Sequence, residues 1–178
     1  GLIIHVARHY IPNGGTVFDI GASTGNIGKA LADIIKTRDA TLTAIESAEA
    51  MAAKYEGGGT LHMADAIEYD YPPFDFAVLN LIVMFLPKGH RKRWLQNLTS
   101  KIKPGGAMII VERMEAEPGY IGTVMARATL AGKLATGTPP AEIIAKELSL
   151  AGVQRPLHWT ELPTSAVEVF RFADFAAY

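Results

Sequence analysis

Residues 17–26 constrain the fold of this chain more than any other part of its sequence. They read Val-Phe-Asp-Ile-Gly-Ala-Ser-Thr-Gly-Asn, an apolar run with one acidic residue followed by a turn with glycines four residues apart. The next apolar residues, Ile27, Leu31, Ile34 and Ile35, recur at helical spacing. Glycine lets a backbone approach a ligand closely, and the first turn of a helix offers free N–H groups. The segment therefore predicts a strand, a turn and a helix that form a nucleotide-sized site.

Short apolar runs alternate with helical patterns as far as residue 111, which favours a mostly parallel sheet with helices on both faces. The predicted strands are residues 16–20, 41–45, 60–63, 76–81 and 107–111. The predicted helices are residues 2–10, 25–36, 47–55 and a segment around 94–102. The Lys-Pro-Gly-Gly sequence at 103–106 predicts a sharp turn into the fifth strand.

Beyond residue 111 the alternation ends in a stretch rich in glycine and proline. One helix is predicted near residues 121–134 and another after Pro140. Residues 157–162 and 166–172, on either side of Pro163, are predicted to pair as an antiparallel hairpin. No repeat or linker interrupts the chain, so residues 1–178 are predicted to form a single domain.

Composition narrows the class of protein. A chain of 178 residues with 49% hydrophobic residues can bury one good core. The net charge of −1 provides no overall field for nucleic acid or anionic membranes. Cysteine is absent, which excludes disulfides and thiol catalysis and fits a cytoplasmic location. No apolar run approaches the roughly 20 residues of a membrane helix, so no membrane partner is expected.

Two nucleotide-binding families use this kind of turn, and the short-chain dehydrogenases are one of them. Their chemistry needs a tyrosine with a lysine four residues later, because the cation lowers the pKa of the phenol. No lysine stands at that spacing after Tyr10, Tyr55, Tyr69, Tyr71 or Tyr120. The sequence therefore argues against a nicotinamide-dependent oxidoreductase.

The second family is the class I S-adenosylmethionine-dependent methyltransferases, which the chain resembles along nearly its whole length. Five landmarks that are similar to the family's motifs fall in order at residues 19–25, 44–46, 64–66, 74–80 and 103–112. The resemblance implies an α/β, Rossmann-like class I methyltransferase fold. This fold has a mostly parallel seven-stranded sheet, an antiparallel C-terminal hairpin and helices on both faces. It also implies S-adenosyl-L-methionine as the cofactor.

The resemblance implies roles for particular residues. Glu46 would accept hydrogen bonds from the ribose hydroxyls, and the alternative is an exposed acid at a strand end. Asp65 would accept from the adenine amino group, and the alternative is an aspartate that caps a turn. Asp19 would anchor the methionine amino group, directly or through water. The full predicted cofactor site is Asp19, Gly21, Ala22, Ser23, Gly25, Glu46, Ser47, Met51, Asp65, Ala66, Asn80 and Leu81.

Within this class, the pattern is most similar to the carboxy-S-adenosyl-L-methionine synthases, enzymes of tRNA modification. In that family the residue matching Asn80 lies near the sulfonium, and an arginine after strand five holds the extra carboxylate of the cofactor. The matching segment here, residues 133–138, has Leu134 in place of that arginine. The sequence therefore predicts that ordinary S-adenosylmethionine binds at least as well as the carboxylated form, unless Arg127 substitutes as the cation.

The expected activity is in-line methyl transfer to a small-molecule or RNA-linked acceptor. A carboxy-S-adenosylmethionine synthase-like enzyme and a non-catalytic S-adenosylmethionine-binding scaffold remain as alternatives. No catalytic base is assigned, and the residues considered for that role are Glu112, Arg113, Arg127 and His158. Residues 112–140 are expected to cover the acceptor side. The family resemblance also leaves a homodimer open and leads us to expect a further N-terminal segment that closes over the cofactor.

Two other clusters are interpreted conservatively. His5 and His9 stand four apart on a predicted helix, but no third ligand is evident, so no metal site is predicted. Residues 90–93, His-Arg-Lys-Arg, are interpreted as the solvated start of a helix.

Overall fold

A single seven-stranded sheet organises the chain, with strands in the order β3-β2-β1-β4-β5-β7-β6. The structure is a computed structural model that describes all residues, Gly1–Tyr178. The strands are β1 (Thr16–Ile20), β2 (Thr41–Glu46), β3 (Thr60–Met63), β4 (Phe74–Asn80), β5 (Ile102–Arg113), β6 (Phe170–Phe172) and β7 (Phe175–Ala177). The helices are α1 (Leu2–Tyr10), α2 (Asn26–Thr37), α3 (Glu49–Ala52), α4 (Lys88–Ser100), α5 (Tyr120–Ala135) and α6 (Pro140–Ser149). Two short 3-10 helices span Val83–Phe85 and Trp159–Glu161.

The direction of the strands locates the place where a ligand can bind. Strands β1 to β5 pair in parallel, and β7 pairs antiparallel with both β5 and β6. The chain runs outward from β1 to β3 and then returns to the other side of β1 with β4. In open α/β sheets, a crevice forms outside the carboxyl ends of the strands where the strand order reverses. That point here lies between β1 and β4.

Apolar residues cover both faces of the sheet, as expected for buried parallel strands. On one face Phe18 and Ile20 pack with Trp94, Leu95 and other buried residues of α4. On the opposite face, residues of β1, β4 and β5 pack with α1 and α2 in a second cluster, which includes Val17, Ala7, Leu31, Val78 and Ile109. Because side chains alternate along a strand, Asp19 points to the face that α2 covers.

The C-terminal hairpin lies further along the chain than predicted. Its strands are β6 and β7, and the turn between them includes Ala173 in a left-handed conformation (φ 53°). Residues 157–162 do not form a strand beyond one isolated bridge from Leu157 to Met114. The reason is local: Glu161 accepts a hydrogen bond from the backbone N–H of His158 (2.9 Å), which closes a 3-10 turn instead.

Other boundaries also differ from the predicted ones. Phe74 pairs with Ile102 and Phe76 pairs with Ala107, so the Lys-Pro-Gly-Gly sequence at 103–106 is an irregularity inside β5 and not a turn before it. Helix α3 has four residues, fewer than the predicted nine, and α4 starts at Lys88. None of the helices combines the length and apolar character that crossing a bilayer requires.

Candidate active site

A cleft of about 730 Å³ lies at the carboxyl ends of the parallel strands. Ten of the twelve residues predicted to bind the cofactor line it: Gly21, Ala22, Ser23, Glu46, Ser47, Met51, Asp65, Ala66, Asn80 and Leu81. Asp19 and Gly25 do not line it. The structure thus brings together residues from four separate turns, each of which directly follows or ends a strand.

The strand order arranges these residues along the cleft. Asp65 follows β3, Glu46 ends β2, Gly21 follows β1 and Asn80 ends β4. Because the four strands are neighbours in that order, the two carboxylates lie towards one end of the cleft and Asn80 towards the other. An elongated ligand fits this arrangement if its hydroxyl-rich part lies at the end with the two carboxylates and its charged part lies towards Asn80.

Glu46 connects the end of β2 to the glycine-rich turn. One carboxylate oxygen accepts a hydrogen bond from the N–H of Ser23 (2.8 Å), and the other accepts from the N–H of Ala48 (2.7 Å). A carboxylate has about four acceptor positions, so each oxygen retains capacity for one more donor. Glu46 is therefore held in a fixed orientation while it can still accept from ligand hydroxyls.

Asp65 caps a turn and also lines the cleft. Its Oδ1 accepts from the N–H of Ile67 (2.7 Å), which is the aspartate-capped turn, and the side chain also lines the cleft. The next residue, Ala66, is fixed from behind, because its carbonyl accepts from the indole N–H of Trp94 (2.8 Å) and from the hydroxyl of Tyr71 (3.0 Å).

Asp19 lies beneath the glycine-rich turn and is 1% exposed. Its Oδ2 atom is buried and has no hydrogen-bond partner within the chain. Burial raises the pKa of Asp19 to about 7, the backbone N–H of Gly28 opposes this rise, and the charge of Glu46 adds to it. A buried carboxyl oxygen without a hydrogen bond costs free energy. Asp19 is therefore suited to accept a hydrogen bond from a ligand or a water molecule.

The two glycines of the turn have different environments. At Gly21 (φ +75°) a Cβ atom would meet the side chain of Ile82 at 2.5 Å, so glycine is required where the turn meets the end of β4. At Gly25 (φ +90°) a Cβ would meet the backbone N of Gly57 at 2.3 Å. Glycine is therefore needed at position 25 because the backbone of Gly57 packs against it. The prediction that Gly25 lies against the ligand is not matched by the lining of the cleft.

The turn after β4, residues 81–86, forms the wall of the cleft next to Asn80. Leu81 adopts a left-handed conformation (φ 59°), which is strained for a leucine. Ser23 of the glycine-rich turn is also left-handed (φ 50°). Both residues line the cleft. Strained backbone that persists in a fold is concentrated at functional sites, because the surroundings must hold it in place.

None of the four residues considered as a base lines the cleft. Glu112 is fully buried, and its Oε1 accepts from the N–H of Val83 (2.5 Å). Arg113 pairs with Asp174 and donates to Gln154. Arg127 is exposed on α5, and His158 starts the second 3-10 helix.

The sequence predicted that residues 112–140 cover the acceptor side. No residue of the segment 112–140 lines the cleft, whereas Ile82, Phe85, Leu86, Pro87 and, from α6, Lys146 do. The segment instead supports α6, since Lys133 of α5 pairs with Glu147 (2.6 Å). Lys146 is the single cation that lines the cleft. It was not predicted from the sequence, because the residues around it do not distinguish it from an ordinary surface lysine of a helix.

The interpretation of residues 90–93 as a solvated helix start was wrong for Arg91, which is 0% exposed. Its guanidinium donates to the carbonyls of Leu86 (2.9 Å) and Met84 (3.1 Å) in the turn after β4. Its partners are backbone carbonyls and Glu161, all of which lie outside residues 90–93.

A second cavity of about 800 Å³ lies between α1, β5 and residues 163–169. Its lining is mostly apolar and contains no aspartate or glutamate, so it offers no carboxylate for a ribose. His5 and His9 stand at its edge with ring centroids 5.2 Å apart. No group of three or more potential metal-binding side chains occurs in the structure.

No protein-family model matches the chain. Among curated proteins it is similar to carboxy-S-adenosyl-L-methionine synthases. The one from Shewanella denitrificans is 25% identical over 158 residues, which cover 84% of this chain and 65% of the relative. The one from Campylobacter fetus is 25% identical over 189 residues, which cover 97% of this chain and 79% of the relative. The chain thus spans just under two thirds of the length of the Shewanella relative.

Solved structures show the same fold. A methyltransferase from Archaeoglobus fulgidus, described as S-adenosylmethionine-dependent, superposes with a TM-score of 0.51 at 22% identity, over 65% of this chain and 54% of its own. A mycolic acid cyclopropane synthase, crystallised with S-adenosylhomocysteine, superposes with a TM-score of 0.59 at 13% identity, over 90% of this chain and 56% of its own.

These comparisons confirm the predicted fold class and the predicted resemblance. The chain has the fold of class I S-adenosylmethionine-dependent methyltransferases, and its curated relatives are the family named in the sequence analysis.

Proposed function

We propose that this chain binds S-adenosylmethionine in the cleft at the carboxyl ends of β1 to β4 and transfers the methyl group to a small-molecule or RNA-linked acceptor. The observation that carries the proposal is the order of the lining groups. Asp65, Glu46, residues 21–23 of the glycine-rich turn and Asn80 follow one another along the cleft, in the order of adenine, ribose and methionine in that molecule.

The residues present fit this cofactor. Glu46 has free acceptor capacity on both oxygens for the two ribose hydroxyls, and Asp65 has a second oxygen available for the adenine amino group. The unpartnered Oδ2 of Asp19 suits the positively charged amino group of the methionine part, reached through water beneath the turn. Gly21 leaves the turn free of side-chain atoms where it meets Ile82.

When bound, S-adenosylmethionine supplies an electrophilic methyl group, which an acceptor lone pair takes in line while the carbon–sulfur electron pair returns to sulfur and the acceptor loses a proton. The residues of the chain contribute position and exclusion of water. Asn80 and Leu81 lie at the end of the cleft where the methyl group would project, and Phe85, Leu86 and Pro87 provide an apolar wall there.

Calorimetric titration tests the binding part of the proposal. S-adenosylmethionine and S-adenosylhomocysteine are expected to bind, and NAD is not. Glu46→Gln and Asp65→Asn are each expected to weaken binding by about 1–3 kcal/mol, because a buried ligand donor loses its charged acceptor. Glu49→Gln is the matched control, since Glu49 is exposed on α3 and does not line the cleft. Binding of NAD in place of S-adenosylhomocysteine would contradict the proposal.

Turnover separates an enzyme from a cofactor-binding scaffold. Release of S-adenosylhomocysteine is measured with cell extract as the source of acceptors, and we expect release that Asn80→Ala and Glu46→Gln both reduce. A protein that binds the cofactor tightly and yields no turnover with any fraction would instead be the scaffold.

A carboxy-S-adenosylmethionine synthase-like activity is the second candidate. The curated relatives favour it, and Lys146 supplies a cation in the cleft although Leu134 and Arg127 do not line it. Comparing the affinities for S-adenosylmethionine and its carboxymethyl form decides between the two. Clearly tighter binding of the carboxylated form, lost in Lys146→Gln, would favour this second candidate.

A further inference from the structure

The turn after β4 is held by two buried charged side chains from different elements. Glu112 of β5 and Arg91 of α4 are both 0% exposed, and neither lines the cleft. They form no ion pair with each other; both make hydrogen bonds to the backbone of residues 83–86. Burying a charge is costly unless hydrogen bonds or an opposite charge compensate for the lost hydration. Two such groups at one six-residue turn therefore call for a physical explanation.

Glu112 binds the donors of the turn. Its Oε1 accepts from the N–H of Val83 (2.5 Å), at the start of the 3-10 helix. Its Oε2 is buried and has no partner. Burial raises the pKa of Glu112 to about 7, against the effect of the nearby backbone N–H groups of the turn.

Arg91 binds the acceptors of the same turn. It donates to the carbonyls of Met84 and Leu86, and to that of Pro156 (3.4 Å), and one guanidinium nitrogen lies 3.7 Å from Glu161. Thus the N–H side of the turn is fixed to the sheet and the carbonyl side is fixed to α4 and the C-terminal segment.

The turn held in this way forms the wall of the cleft: Leu81, Ile82, Phe85 and Leu86 line it, whereas Val83 and Met84 are buried. Leu81, in its strained left-handed conformation, donates its N–H to the carbonyl of Val111 (2.8 Å), next to Glu112 in sequence. The side chain of Ile82 fills the space over Gly21. A strained residue keeps its conformation only when its neighbours fix it.

We propose that Glu112 and Arg91 are positioning residues that together hold the turn 81–86 at the methyl-donor end of the cleft. The inference rests on the proposed function and deepens it, because it assigns the geometry of the reacting end to two residues that touch no ligand. A displacement of about 1 Å at a reacting centre costs about 100-fold in rate, so the precision of this turn matters for transfer.

The arrangement predicts a loss of affinity that depends on the ligand. S-adenosylhomocysteine extends along the whole cleft to Asn80 and Leu81, whereas 5′-methylthioadenosine lacks the methionine part and relies mainly on Glu46 and Asp65. Glu112→Leu and Arg91→Met remove the two sets of hydrogen bonds with little change in volume. Each is expected to weaken S-adenosylhomocysteine binding at least tenfold and 5′-methylthioadenosine binding less than threefold, as measured by calorimetry.

Two further variants separate positioning from general stability. Glu112→Gln keeps one acceptor oxygen for Val83 and is expected to bind S-adenosylhomocysteine within about threefold of the wild type. It also gives a test if Glu112→Leu does not fold. Val17→Ala removes buried volume at the opposite end of β1 and should affect both ligands equally.

Equal losses for the two ligands in Glu112→Leu and Arg91→Met, alongside normal wild-type binding, would overturn this inference and leave the proposed function intact. The same holds if Glu112→Gln binds as poorly as Glu112→Leu, since acceptance of the turn's N–H would then be irrelevant. Failure of the wild-type protein to bind S-adenosylhomocysteine would overturn both.

Discussion

Asp19 and Glu112 are the two carboxyl groups whose burial raises the pKa to about 7. In the unfolded chain both titrate near their ordinary values of 3.8 and 4.5. Between about pH 4 and pH 7 the folded state therefore holds protons that the unfolded state has lost. The stability that these protons confer is fully present below pH 4 and is lost as the pH rises through 7.

We expect the free energy of unfolding to fall as the pH is raised from 5 to 8, by up to about 3 kcal/mol for each group. Denaturant titrations at these two pH values measure it. The double variant Asp19→Asn, Glu112→Gln is expected to show a flatter profile. The acids with lowered pKa values, such as Glu56 and Glu168, titrate below this window and are exposed, so they do not reverse the trend. Stability that rises from pH 5 to pH 8 would contradict this account.

Gly25 of the glycine-rich turn gives a second prediction at the residue scale. Gly25→Ala places a side chain at φ +90° against the backbone of Gly57, so we expect a loss of about 2 kcal/mol or more in the free energy of unfolding. Gly132→Ala is the control, because Gly132 lies within helix α5 and a Cβ added there would have no neighbouring atom within 4 Å. That control should gain about 0.5–1 kcal/mol. Equal effects of the two substitutions on thermal unfolding would show that Gly25 is not constrained.

At the scale of elements, the sequence predicts what depends on local patterns. The first three strands and helices α1 and α2 lie within one residue of their predicted bounds. Strands β1 and β2 and helix α2 each bury three or more residues, whereas β3 buries none and α1 buries only Ala7. The predicted position of the hairpin was wrong, since nothing local shows that Glu161 binds the N–H of His158 or that Ala173 takes a left-handed turn. The burial of Arg91 could not be predicted either, because its partners lie in the turn after β4 and in residues 156–161.

One carboxylate of the C-terminal hairpin adds side-chain bonds to β5 and to α5, beside the backbone pairing of β7 with β5. Asp174 pairs with Arg113, and its Oδ1 accepts from the hydroxyl of Thr129 (2.8 Å). Asp174→Ala leaves Arg113 partly buried with fewer partners, so we expect a loss of about 1–3 kcal/mol in unfolding free energy and faster proteolysis near residues 170–175. Glu168→Ala, which breaks the exposed pair with Arg171 on the same hairpin, should cost less than about 1 kcal/mol. Comparable losses in the two variants would contradict a special role for Asp174.

At the scale of the whole molecule, one part of the candidate site could be predicted from the sequence and the other part could not. Acidic and small residues that end strands meet at one edge of a parallel sheet, so the family resemblance sufficed to predict Glu46, Asp65 and residues 21–23, all of which line the cleft. The positions of Lys146 and of the turn 81–86 depend on contacts across the whole chain. Lys146 reaches the cleft because α6 is supported by α5, and the turn 81–86 is shaped by Glu112 and Arg91.

Three cavities of the molecule have similar volumes, and chemistry distinguishes them. The one beside α4 is about 690 Å³ and contains no carboxylate. The cavity beside α1 is about 800 Å³ and apolar, whereas the cleft of about 730 Å³ contains Glu46 and Asp65. A nucleoside needs acceptors for its hydroxyl and amino groups, so the cleft is the expected site in spite of its smaller volume.

A crystal structure of the chain with S-adenosylhomocysteine tests the central claim most directly. The account predicts the ribose hydroxyls within hydrogen-bond distance of Glu46, the adenine beside Asp65 and the sulfur directed towards Asn80. Density for the ligand in the cavity between α1, β5 and residues 163–169, or in the cleft with its adenine at Asn80 and its sulfur at Asp65, would contradict it.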